Sequence, residues 1–302
     1  MPAMNLHGIF PPVTTPFGPD GAVALGRLRE NLARYNRMGL AGYVLNGSTS
    51  ESVLLRWEEV YRIWETAKEA AAPGKTMIAG TGAESTAETI EHIDRAASLG
   101  YDAALVRTPS FYKPAMTENA LAEHYLRVAD AARIQILIYS VPIFTHIQVE
   151  APLVARVAQH QNVIGMKDSS GDVPGVAKII AAVPKTFRVL VGSAATLYQS
   201  LEIGAIGAIL ALACAFPELC VEIYEASRAG DYARAQALAQ KLLAPARMLS
   251  VQHGIAGLKY ALDRLGFYGG PPRGPLLPVD EAARREIDAM LVGMVSESAA
   301  RN

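Results

Sequence analysis

Lys167 ends the apolar run Val163-Ile-Gly-Met-Lys167 and is followed at once by Asp168-Ser-Ser-Gly171. Lysine is among the side chains that proteins bury least. In an apolar enclosure a neutral amine is favoured over an ammonium, and a neutral amine adds to a ketone to give a Schiff base. Tyr139 ends a second such run, Ile134 to Tyr139, and a phenol beside an amine can pass protons while the carbinolamine forms and breaks. Ser48 and Thr49, directly after Gly47, offer hydroxyls and backbone N–H groups to an anion. Singly, each has a plainer use: a strand-end lysine snorkels to solvent, a tyrosine fills core, and Ser-Thr makes a turn. Together they suit attack by an amine on a ketone, with an anion held close by.

Strands must carry those residues. Short β-rich runs recur at Pro12 to Pro16, Gly42 to Asn46, Thr76 to Gly80, Ala103 to Thr108, Ile134 to Tyr139, Val163 to Lys167, Arg188 to Gly192 and Gly207 to Leu212. Amphipathic stretches lie between them: Leu25 to Met38, Glu58 to Ala71, Ser85 to Leu99, Thr117 to Ala131, Ala151 to Gln159 and Val176 to Val183. Ser85-Thr-Ala-Glu88 reads as a capping box, and Pro174 opens the sixth helical stretch. Eight alternations predict an α/β fold, a (β/α)8 TIM barrel of parallel strands joined by crossover helices. A doubly wound sheet is the rival, but Gly80-Thr-Gly82 follows the third strand and lacks the third glycine of a nucleotide loop.

After the eighth strand, Pro217 to Ala229, Tyr232 to Leu249, Gly254 to Leu265 and Asp280 to Met294 have helical spacing. One helix completes the barrel. The expected division is therefore a barrel over residues 1–225 and a C-terminal helical extension over 226–302 packed on it. Barrel chemistry gathers at the carboxyl ends of the strands, which here read Thr14-Thr15, Asn46 to Glu51, Thr81, Thr108, Tyr139, Lys167 to Ser170 and Gly192-Ser193. Strands five and six are neighbours about 5 Å apart, so Tyr139 and Lys167 share one mouth.

The 302 residues are 51% hydrophobic, with 28 Lys and Arg against 29 Asp and Glu. That balance gives no bulk attraction to nucleic acid or to an anionic membrane. The longest apolar stretch, Ile203 to Phe216, is too short for a bilayer, and Met1 to Gly8 shows no basic-then-apolar signal, so a cytoplasmic location is expected. Cys214 and Cys220 make neither a disulfide framework nor a CxxC pair and read as small buried hydrophobes. No metal-ligand spacing of His, Asp and Glu appears at the strand ends, so no metal and no other cofactor is expected. A pyridoxal phosphate barrel on Lys167 is a weaker reading, since no clear phosphate loop lies near strands seven and eight. Asp168, Glu51 and His146 read as structural: a loop cap or solvent-facing carboxylate, a carboxylate bonded within its own turn, and a histidine without a visible partner.

Three segments, Gly47-Ser-Thr-Ser-Glu-Ser52, Ile138-Tyr-Ser-Val-Pro142 and Ile164-Gly-Met-Lys-Asp-Ser-Ser-Gly171, resemble the signatures of the dihydrodipicolinate synthase and N-acetylneuraminate lyase family. The likeness runs from Gly8 to about Leu277. It implies a metal-free class I aldolase or related lyase that binds pyruvate or another 2-oxo acid on a barrel lysine and assembles as a homotetramer. By the resemblance, Lys167 is the Schiff-base lysine and Tyr139 the proton relay. Ser48 and Thr49 are the hydroxyl pair that holds the carboxylate and links to the tyrosine, and Gly192 and Ser193 form the backbone-lined end of the seventh strand. The 4-hydroxy-2-oxoglutarate aldolase branch is resembled most, through Gly8 to Phe17, Gly165 to Asp172, Val191 to Ala194, Gly254 to Lys259 and Gly266 to Pro271. In that branch Ser169 also faces the substrate. The expected activity is that aldolase's. The alternatives are 4-hydroxy-tetrahydrodipicolinate synthase, another family lyase or dehydratase such as a sugar-acid aldolase, and, less favoured, a non-catalytic binder of 2-oxo acids.

Two departures bear on specificity. Ile143-Phe144-Thr145-His146 stands where the synthase has an arginine that clamps its aldehyde's carboxylate. A ring forfeits that charge-assisted bidentate contact, which counts against the synthase and gives Phe144 to a pocket wall for a different or larger aldehyde. Phe111 falls where the family often has a tyrosine lent to the neighbouring subunit's site, and Tyr112 beside it is the substitute if the loop shifts.

Overall fold

The computed structural model describes residues 4–299. The first three residues of the segment read for an export signal, and the last three of the C-terminal extension, lie outside them. Eight parallel strands run as β1 (Gly8–Phe10), β2 (Gly42–Leu45), β3 (Thr76–Gly80), β4 (Ala103–Arg107), β5 (Gln135–Ser140), β6 (Val163–Asp168), β7 (Arg188–Val191) and β8 (Gly207–Ile209). They pair in the order β1-β8-β7-β6-β5-β4-β3-β2. Backbone bonds close the ring between β1 and β2: Ala41 N–H donates to Ile9 O at 3.0 Å and Val13 N–H to Val44 O at 2.9 Å. The expected (β/α)8 barrel is present.

The first strand lies earlier than its sequence reading. Gly8–Phe10 pairs with Gly207–Ile209, whereas Pro12 to Pro16 contributes one isolated bridge, Pro12 to Val44. The reason is chemical: Pro11, Pro12 and Pro16 have no N–H to give to a ladder. Gly8 holds φ 114°, and a Cβ there would come within 2.8 Å of the Ala41 side chain. Only glycine fits that close approach.

Helices α1 (Leu25–Tyr35), α2 (Trp57–Ala70), α3 (Thr86–Ser98) and α4 (Glu118–Ala131) link the early strands. The short α5 (Pro142–Thr145) and α6 (Ala151–Val157) follow β5, and α7 (Val173–Ala182) and α8 (Leu197–Glu202) follow β6 and β7. Side-chain caps start two of them: Ser85 Oγ accepts from Glu88 N at 3.1 Å, and Thr117 Oγ1 from Ala120 N at 3.2 Å. The Ser85 cap is half of the expected box, because the Glu88 carboxylate turns to His92 Nε2 instead, at 3.4 Å. After β8, α9 (Pro217–Arg228) packs on β1, and α10 (Tyr232–Ala246), α11 (Gly254–Arg264) and α12 (Glu281–Ala299) form the extension. A π-helical stretch, Arg247–Gln252, joins α10 to α11.

Parallel strands bury both faces, and alternation sorts their side chains into two sets. Phe10, Val44, Ile78, Leu105, Leu137, Leu190 and Ile209 form one cluster, the filling of the barrel. Tyr43, Ile136, Val189 and their neighbours pack outward with the helices. Tyr139 belongs to the inner set. The inner layer below it is apolar, so any polar chemistry must occur at the top.

Candidate active site

β5 and β6 run in register, with Tyr139 opposite Lys167. Both are nearly sealed, at 5% and 4% exposure. Lys167 Nζ lies 4.3 Å from the centroid of the Tyr139 ring, and no hydrogen bond or ion pair holds the amine among the described residues. A second buried lysine shows the ordinary alternative. Lys259 Nζ donates to Glu51 Oε1 at 2.7 Å and Thr15 O at 2.9 Å, with the Phe17 ring 4.4 Å away. Burial pushes the Lys259 amine down and the Glu51 carboxylate pulls it back up. One buried lysine is tied to a carboxylate and a carbonyl; the other, among the described residues, keeps its nitrogen uncommitted beside a phenol.

Gly47 is extended and Ser48–Ser50 forms a 3-10 turn, which brings Ser48 Oγ to 3.1 Å from Tyr139 OH. Thr49 is buried beside it. Ser50 Oγ donates to Val13 O at 2.6 Å, and Thr15 Oγ1 to Ser50 O at 2.7 Å, so the segment after β1 holds this turn. Asn46, left-handed at φ 62°, ties the end of β2 to β3 through Nδ2 and Gly80 O at 2.8 Å. Its Oδ1 is buried without a hydrogen-bond partner among the described residues.

On the other side of Lys167, the end of β7 closes in. A Cβ at Gly192 would sit 2.9 Å from Lys167 Cε and inside the contact distance of Ser169 Oγ. Ser193 Oγ lies beside Gly171. Asp168 is buried and caps the loop, its Oδ1 accepting from Ser170 N at 2.9 Å and Ser170 Oγ at 2.5 Å. Burial pushes its carboxyl up, opposed by Ser170 and by the nearby Ser140 hydroxyl, although neither Ser140 Oγ nor Asp168 Oδ2 reaches hydrogen-bond geometry. Of its two sequence readings, the loop cap holds and the solvent-facing one does not.

A cleft of about 390 Å³ opens between the ends of β2, β3 and β4. Its walls include Asn46, Ser48, Trp57, Arg107 and Tyr139; Lys167 is not among them. Arg107 is bound to Glu84 at 2.7 Å, and Glu84 also accepts the Ser110 and Phe111 amides. The structure thus gathers Lys167, Tyr139, Ser48, Thr49, Ser169, Gly192 and Ser193 at one mouth. Phe144 and Tyr112 stand apart, 62% and 72% exposed, and neither lines the cleft. Phe111 is 78% exposed, edge-on to Tyr112 at 5.1 Å. His146 is exposed and left-handed, at φ 53°.

Glu51 corrects its sequence reading: its carboxylate serves Lys259 and the Arg273 N–H, the latter at 2.7 Å, and not its own turn. Both partners are over 200 residues away in the chain, brought to it only by the packing of the C-terminal segment. The one sequence signal was Lys259 itself, set in α11 among the buried Leu258, Ala261 and Leu262. Cys214 and Cys220 are buried free thiols, and burial pushes that of Cys214 up to about 12. Among the described residues no three His, Cys, Asp or Glu gather closely enough to hold a metal, and no helix is long and apolar enough to cross a membrane.

Such a barrel sets an enclosed amine, a phenol, a hydroxyl turn and a close-packed glycine at the carboxyl ends of β6, β5, β2 and β7. The chain belongs to the dihydrodipicolinate synthetase family, whose sequence pattern matches residues 5–293. It is 33% identical over 289 residues to the 4-hydroxy-tetrahydrodipicolinate synthase of Methanothrix thermoacetophila, covering 95% of this chain and 97% of that one. It is 34% identical over 286 residues to that of Rhizobium meliloti, covering 94% and 97%. The dihydrodipicolinate synthase of Acinetobacter baumannii superposes with a TM-score of 0.91 at 30% identity, over 95% of this chain and 98% of that one. Members of the family are lyases. These relatives carry the synthase name, and the 4-hydroxy-2-oxoglutarate aldolase branch expected from short motifs is not supported.

Proposed function

We propose that the protein is a lyase in which Lys167 forms a Schiff base with a 2-oxo acid, pyruvate above all, and whose enamine is joined to an aldehyde. The observation that carries this reading is the buried, uncommitted Lys167 amine 4.3 Å from the ring of a tyrosine whose hydroxyl meets Ser48 Oγ at 3.1 Å. The amine adds to the ketone carbon, and the carbonyl oxygen takes two protons and leaves as water. Tyr139 passes those protons, with Ser48 behind it. The iminium draws electrons from the neighbouring C–H bond, whose proton passes to the Tyr139 relay; the resulting enamine carbon adds to the aldehyde carbon, the aldehyde oxygen takes a proton back from that relay, and water adds to the restored iminium, releases the product and frees Lys167. Ser48 and Thr49 hold the carboxylate, while Ser169, Gly192 and Ser193 bound the other side. The 30% identical Acinetobacter baumannii synthase is complexed with pyruvate, which supports the choice of 2-oxo acid.

One observation favours a second aldehyde class. Ile143 and Phe144, 59% and 62% exposed, occupy the positions where the synthase's carboxylate-clamping arginine is expected, so an aldehyde without a carboxylate is the other candidate. Borohydride with pyruvate should leave a reduced adduct on the Lys167 peptide by mass spectrometry, and an unmodified lysine would sink the proposal. A panel of charged and uncharged aldehydes then assigns the partner. Trapping without turnover on any of them leaves a 2-oxo acid binder.

A further inference from the structure

We propose that Lys259 is a positioning residue for the Ser48–Thr49 turn, acting through Glu51, so that the C-terminal extension is part of the catalytic apparatus. Glu51 follows the 3-10 turn directly, with φ 58° and ψ 36°. Residues with a side chain seldom adopt that left-handed conformation, and it persists where the surroundings over-determine it. Here they do: each carboxylate oxygen has one donor, Lys259 Nζ at 2.7 Å on Oε1 and Arg273 N–H at 2.7 Å on Oε2. Lys259 also donates to Thr15 O at 2.9 Å, and Thr15 Oγ1 in turn holds Ser50 O at 2.7 Å. The amine therefore grips the C-terminal end of the turn that presents Ser48 to Tyr139 at two neighbouring points, Glu51 directly and Ser50 through Thr15. Arg273 secures the far flank, donating to Leu54 O at 3.1 Å and to both Glu59 oxygens at 2.6 and 2.7 Å.

The pair is fully enclosed: both side chains show 0% exposure. Filling that volume needs no charge. Replacing a buried ion pair by apolar groups of similar size is often neutral or stabilising, so a pair like this is better explained by the geometry it specifies than by the stability it adds. The geometry it specifies is that of the hydroxyl turn.

The inference rests on the reading of Ser48 and Thr49 as carboxylate holders and proton relay. Lys259→Met and the neutral double variant Glu51→Gln with Lys259→Met test it, through melting temperature, pyruvate KM, kcat and borohydride trapping on Lys167. Positioning predicts that folded Lys259→Met still traps pyruvate at saturation, while KM rises and kcat falls by about 10- to 100-fold. The double variant, with no charge stranded, regains the melting temperature but keeps the kinetic defect, and Lys259→Arg recovers part of the activity. If Lys259→Met does not fold, the double variant alone decides. Kinetic constants within twofold of the parent in a folded variant, or recovery of KM in step with melting temperature, would overturn the proposal. A parent protein that does not trap pyruvate instead removes the functional reading itself.

Discussion

Gly192→Ala tests the geometry around the amine most directly. The backbone there is outside the left-handed region, so alanine is conformationally allowed and the cost is steric. The new methyl would lie 2.9 Å from Lys167 Cε and 2.9 Å from Ser169 Cβ, and closer still to Ser169 Oγ. Optimal carbon contacts are about 3.5–4.0 Å, so roughly 0.6–1.1 Å must be found. The backbone cannot retreat freely, because Gly192 N–H donates to Asp168 O at 2.6 Å. Overpacking of this size costs about 1–3 kcal/mol of stability. Cε carries the nucleophilic nitrogen, and a displacement near 1 Å costs about 100-fold in rate. The assay is the rate of pyruvate-dependent borohydride trapping at Lys167, beside urea unfolding. Adding Ser169→Gly removes the tightest contact and leaves the one with Lys167, so stability should recover more than rate. Parental trapping and parental stability in Gly192→Ala would show that β7 does not press on the lysine.

Tyr139→Phe keeps the ring over Lys167 and deletes the hydroxyl that meets Ser48; the rates of turnover and of pyruvate-dependent trapping should both fall about 10²- to 10⁴-fold while the end-point adduct on Lys167 still forms, and a parental trapping rate would take the phenol out of the proton relay. His124 is buried, with Nδ1 bonded to Thr86 Oγ1 at 2.9 Å and its pKa lowered by burial to about 4. The unfolded chain takes up this proton near 6.5 and the folded chain only near 4, so stability is lost as pH falls through that window, by about 3 kcal/mol in total, and levels off below it. His124→Gln should flatten that part of the urea-midpoint curve; an unchanged slope would place the proton uptake elsewhere. Phe144→Ala, at an exposed site outside the cleft, should shift stability by less than about 0.5 kcal/mol and leave pyruvate trapping and the aldehyde KM near parental, and a changed aldehyde KM would bring Phe144 back to the substrate wall. Phe111→Asp, in the exposed Phe111–Tyr112 pair, should move sedimentation toward smaller species if this face joins subunits in the expected tetramer, and an unmoved boundary would take the loop out of the interface.

Strand count, helix order and the placing of a buried lysine opposite a tyrosine were legible because each is a local pattern. Val163 to Lys167 and Ile134 to Tyr139 are apolar runs with one chemically capable end, and parallel neighbours bring those ends together without further information. The first strand was misplaced because proline removes donors, a fact about pairing that hydrophobicity does not express. The capping box failed by half because the Glu88 carboxylate had a competing partner on its own helix, the imidazole of His92. Short motifs pointed to the aldolase branch, whereas similarity over nearly the whole chain points to the synthases.

The sequence by itself determined that a barrel would form and that Lys167, Tyr139 and Ser48 would meet at its mouth, since alternation and strand polarity depend only on nearest neighbours along and across the sheet. Only the tertiary structure decided that Lys167 would have no hydrogen-bond partner among the described residues while Lys259 was bound to Glu51, 208 residues away in the chain. Two buried lysines look alike as letters. Which of them carries a free nitrogen depends on the charges that folding brings within about 3 Å, and charge pairing across such separations has no local signature.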